Sequence, residues 1–262
     1  MRLLRSSILK IAHRPATLRI VGLLAAFLVL IYVSLGLSSR AASDDPGAAS
    51  IGAMLTFPGA HASLAGMLLI FCGMAGAAYA GVVVGAEWSW NTFRVALTRG
   101  ESRGRYVVGL FLAIAVLVVA AWVVLFILGD GLIVVAATLG GASAGNPLES
   151  GGMGTLAVLV ASGAMAVLME VAIGFAVAFV ARSSVAGIAA VVGLFFAERF
   201  AEMFVPADLL RFAPLSAAEG LVKAAGKTGL DGGLAVPLVV TTLYLLAAIG
   251  LAGVAARRSQ VA

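Results

Sequence analysis

Charged side chains are scarce: they make up 11% of the 262 residues, against about a quarter in soluble domains, and that scarcity excludes a water-soluble globule. Histidine is nearly absent too. His13 and His61 are the two copies; the topology expected below puts them in different compartments, so no histidine-based zinc site is expected, and no HExxH stretch occurs. The single cysteine, Cys72, has no partner for an intrachain disulfide and says nothing of the redox compartment. No GxSxG elbow occurs, and Gly129-Asp130 lacks the leading glycine of an intramembrane aspartyl protease motif because Ile127 holds that place. Ala225-Gly226-Lys227-Thr228 imitates the end of a phosphate-binding loop. The first glycine would have to stand at 221, which is Leu221, no strand is expected before it, and the stretch falls in an extracytoplasmic loop. Neither catalysis nor metal binding is expected of this chain alone.

What it does have is apolar length. Hydrophobic residues reach 62%, glycine numbers 32, and the mean hydropathy is +1.13. A helix needs roughly 20 apolar residues to cross a ~30 Å hydrocarbon core, and it closes its own backbone hydrogen bonds there, whereas a β-barrel would show short alternating segments. The expectation is an all-α polytopic membrane protein forming one permease-like domain over 1–262, with spans at 20–37, 64–85, 106–128, 154–181, 185–204 and 234–256. Residues 1–19, with Leu4, Ile8 and Ile11 on one face and Arg2, Arg5, Lys10, Arg14 and Arg19 around them, read as a basic amphipathic helix at the membrane surface, broken by Pro15. That lead-in and the length of the first apolar run favour a retained helix over a signal peptide. Leu132 to Leu139 is too short to cross, and either an outward helical continuation or a re-entrant piece fits it. The fifth span is also short, with Val185 to Ala197 apolar and then Phe196, Phe200 and Phe204 on one face of an amphipathic extension. A helix near Leu215 to Ala225 is expected between spans five and six.

Six spans put both termini on one side. Five basic residues before the first span, four in the 86–105 loop, Arg182, Arg257 and Arg258 make twelve of the 17 on that side, and the positive-inside rule assigns it to the cytoplasm. The +5 net charge therefore has an orientational explanation that involves no nucleic acid.

The longest polar interruption is the loop 86–105. Asn91 or Thr92 can cap a short helix through Phe93, Arg94 and Leu97, Gly100 suits a left-handed stop, and Trp88 and Trp90 suit the headgroup level. This loop, with Glu87, Thr92, Arg94, Leu97, Arg99, Gly100 and Arg103 in order, resembles the cytoplasmic signature of ABC-2 type transporter permeases. Ala213-Pro214-Leu215-Ser216 is similar to the segment before that family's last span, whose outer face carries re-entrant helices. The sequence departs from many relatives where Val108, Gly109 and Leu110 stand in place of a lysine. The resemblance implies the membrane subunit of an ABC exporter in the cell inner membrane. It implies a second permease copy, homodimeric or heterodimeric, and separate ATPase subunits that bind ATP and Mg, with no cofactor in this chain. It also implies a coupling helix that meets the ATPase through Glu87, Thr92, Arg94, Leu97, Arg99 and Arg103. The same basic loop would equally serve a non-transporting scaffold that recruits a cytoplasmic partner, or simply bind anionic lipid.

Two further features stand out inside the spans. Gly73, Ala77, Gly81 and Gly85 repeat every four residues, a stripe along which another helix can approach closely, although small residues are abundant throughout. Glu170 is the one ionisable residue deep in a span; it must be neutral, paired or facing a polar cavity, either on a substrate path or bonded to a neighbouring helix.

Overall fold

The computed structural model describes residues 15–41, 46–147, 152–228 and 233–258, and these are helical throughout apart from short turns and loops. We number the helices in chain order: α1 Pro15–Ala41, α2 Pro46–Leu55, α3 Gly59–Ser89, α4 Thr92–Thr98, α5 Arg103–Leu139, α6 Gly152–Ala181, α7 Ser184–Ala201, α8 Ala207–Leu210, α9 Pro214–Thr228 and α10 Ala235–Arg258. Six of them, α1, α3, α5, α6, α7 and α10, are long and apolar enough to span a membrane. No strand occurs among the described residues. The protein is therefore an all-α, multi-pass membrane protein.

Burial divides these spans into two groups. The most apolar windows of α3 and α6 are 61% buried and that of α5 is 50%, while those of α1, α7 and α10 are 17% buried. α6 sits centrally and packs against α3, α5, α7, α9 and α10; α1 leans mainly on α5 and touches α3 little. Trp122, fully buried on α5, fixes the α5–α6 contact: its ring lies against Gly163, where a Cβ would collide with it, and its Nε1 donates to the Val160 carbonyl at 3.1 Å.

Several boundaries differ from the sequence expectation. Pro15 opens α1, five residues ahead of the expected span, because a proline in a first turn lacks only an N–H that would go unpaired there. The expected interface helix falls largely on residues 1–14, outside the described residues. α5 runs without a break through Gly129 and Gly131 to Leu139, which makes 132–139 an outward continuation: 37 residues rise ~55 Å, well beyond a ~30 Å core. α7 stops at Ala201, and Phe204 follows it in a turn. The helix expected near 215–225 is α9, starting at Pro214. Ala225 to Thr228 form its last turn, a position with no phosphate-loop geometry.

Candidate functional site

α4 is a seven-residue helix in the connection between the second and third spans. One apolar side chain fastens it: Phe93 is 1% exposed and meets the rings of Trp88, Tyr106 and Phe179 at centroid distances of 5.0, 5.4 and 5.5 Å, thereby touching α3, α5 and α6 together. Aromatic pairs at such separations add to the area they bury. Leu97, half-buried, packs beneath the same helix. On the opposite face Arg94, Val95 and Arg99 are exposed, and Thr92 is half-exposed. Gly100 ends the element at φ +86°, as its left-handed stop requires. The start departs from expectation: Asn91 holds the cap position in the left-handed region, φ 54°, and its side chain makes no capping bond.

Two residues grouped with this face by the resemblance, Glu87 and Arg103, have internal roles instead, and one tryptophan expected at the headgroup level is turned inward. Glu87 is 2% exposed and accepts a hydrogen bond from the Tyr106 hydroxyl, which ties α3 to α5, so it is not open to a partner. Arg103 donates to the carbonyls of Ala256 and Arg257, at 3.4 and 2.7 Å, and closes the open C-terminal turn of α10. Trp88 is turned into the aromatic cluster, with the Arg182 guanidinium 4.9 Å above its ring, and only Trp90 projects outward, 66% exposed. These contacts bring the α3–α5 connection, the Arg182 turn and the end of α10 to one end of the bundle.

No protein-family model matches this sequence, and no curated protein is similar to it.

The small-residue stripe is a packing seam. A methyl on Gly85 would stand 2.6 Å from the Ser184 Cβ, one on Gly81 3.3 Å from the Ile188 nitrogen, and one on Gly174 2.8 Å from the Ala77 carbonyl oxygen. Gly187 closes the seam, its would-be Cβ 3.0 Å from the Gly81 Cα. Higher up, Gly73 lies directly against the carboxyl of Glu170. Glu170 is 4% exposed and has no hydrogen-bond partner among the described residues; the bonded state left open by the sequence does not occur there. It lines a small cavity with Leu69, Ile70, Phe195, Leu215 and Glu219.

The end of the bundle opposite α4 holds charges whose pairing the sequence does not announce. Glu198, on the last turn of α7 and 7% exposed, accepts from the backbone nitrogens of Leu215 and Ser216 at 3.0 and 2.9 Å and from the Ser216 hydroxyl at 2.9 Å. It thus caps α9 from another helix, where the helix dipole favours a carboxylate. Arg199 bridges Glu202 and Glu219, and Lys223 lies 3.4 Å from Glu219. The His61 Nε2 lies 3.4 Å from Asp130 Oδ1, below the rings of Phe57 and Phe126. Spacing suggests only the local pairs Arg199–Glu202 and Lys223–Glu219; the Glu198 cap, Arg199–Glu219 and His61–Asp130 join helices distant in sequence. The only hint is that acidic residues gather in the segments on this side. Among the described residues no group of three His, Cys, Asp or Glu could hold a metal ion.

Proposed function

We propose that this chain is the permease subunit of an ATP-binding-cassette exporter of the inner membrane, and that α4 is the element on which a separate ATPase acts. The observation that carries this reading is the two-sidedness of α4. A buried Phe93 clamps it to the ends of three spans, and Arg94, Val95 and Arg99 stand free on its other face. A force applied to such a helix is delivered to α3, α5 and α6 together, because close-packed interiors transmit displacement. The resemblance of the loop to ABC-2 permeases supplies the kind of partner, and the positive-inside rule supports a cytoplasmic location for the α4 end. ATP and Mg belong to the ATPase; two ATPase chains and a second permease, identical or similar, complete the assembly.

The test is co-purification with an ABC-type ATPase co-expressed with this chain, followed by vanadate-sensitive ATP turnover. Joint Arg94→Glu and Arg99→Glu substitution should return turnover to that of the ATPase alone while the permease keeps its thermal stability. Turnover that survives the double reversal would sink docking through α4. A partner that binds without hydrolysing ATP would mark the chain as a scaffold.

A further inference from the structure

Glu170 occupies a position unlike any other acidic residue among the described residues. The residue is 4% exposed, and its carboxyl lies on the bare backbone of Gly73 with no hydrogen-bond partner among the described residues. An ionised carboxylate held this way in an apolar interior is costly, and the neutral acid avoids that cost. The cavity it lines measures about 10 Å³, on the order of what one water needs. Leu69, Ile70 and Glu219 form one side of that cavity and also line a second, of about 580 Å³, which carries Arg199 and Lys223 and opens at the α9 end. Toward the α4 end the way is closed by Phe175, Phe179 and Phe93, each less than 2% exposed.

The geometry points to Glu170 as a proton-binding site that exchanges with the α9-end cavity through one water and the Glu219 carboxylate. The proton leaves a Glu170 carboxyl oxygen for the water, and the water passes one of its own protons to a Glu219 oxygen; reloading runs the reverse way, and no electrons change hands. The titratable and charged groups around this path are Tyr32 on α1, Cys72 on α3, Glu198 and Arg199 on α7, and Glu219 and Lys223 on α9. Arg199 and Lys223 hold the Glu219 carboxylate at the mouth, and Glu198 is occupied in capping α9. The inference does not depend on the proposed ATP-driven role, since no partner chain enters it.

Infrared spectroscopy of the purified chain in lipid tests it. The wild type should show the carbonyl band of a neutral carboxylic acid that Glu170→Gln removes. On transfer to D₂O that band should shift before the core amide protons exchange, and Glu219→Gln should slow the shift on the order of a hundredfold, the contribution of a positioned acid–base group. Absence of a band assignable to Glu170 would overturn the site. A band that resists D₂O as long as the core amides do, or a shift rate indifferent to Glu219→Gln, would overturn the path.

Discussion

Phe93 and Arg94 are adjacent in sequence and separate in role, and the separation can be measured. Phe93→Ala empties a site shared by three spans and should cost about 3–5 kcal/mol, read as a fall in thermal unfolding temperature. Arg94→Glu touches no packed group and should leave that temperature unchanged. Tyr106→Phe removes the hydroxyl that donates to the buried Glu87 carboxyl, and losing that one bond should cost about 0.5–1.5 kcal/mol in the same unfolding measurement. An unchanged unfolding temperature would mean that the other contacts of Glu87 hold α3 to α5 without it. Glu87 also shows where residue-level reading stops. A polar residue at the edge of a loop looks like surface until the fold brings Tyr106 over it, and Arg103 is taken up by the end of α10 in the same way.

At the scale of helices, small residues decide which spans may touch. Without a hydrophobic drive between helices in lipid, close packing and interhelical hydrogen bonds are what associate them. The seam of α3, α6 and α7 uses Gly81, Gly174 and Gly187 for this approach. Gly187→Leu should force the three apart at about 1–3 kcal/mol. Gly193→Ala, on the same helix with open space around it, should be neutral in the same unfolding measurement. Much of this level was legible. Six apolar runs give six spans because each must satisfy its backbone within itself, and the four-residue stripe on α3 faces neighbouring helices. What was not legible is how far helices extend beyond the lipid: α5 continues over Gly129 and Gly131 because a helix backed by buried Ile133, Ala136 and Ala137 tolerates glycine. The cap on α9 was equally hidden, since Glu198 reaches it from another helix, 17 and 18 positions back in sequence from the nitrogens it accepts from.

For the whole molecule, the two ends differ in chemistry. One gathers aromatic rings and basic residues around α4, and the other gathers acidic residues and their partners around α9. The positive-inside rule makes the α4 end the expected cytoplasmic one, because basic flanks are retained in the cytoplasm while acidic residues count for little. The expectation is that Arg94→Cys reacts with an impermeant maleimide only in inside-out vesicles and Lys223→Cys only in right-side-out cells; native Cys72, buried 5% exposed, should stay silent in both. Both sites are exposed on regular helices, so neither substitution disturbs packing. Labelling of the two from the same side would contradict the six-span count, since Arg94 and Lys223 are separated by an odd number of crossings: α5, α6 and α7. Labelling of each from the reverse side would keep the fold and invert the chain, placing α4 where no cytoplasmic ATPase could reach it.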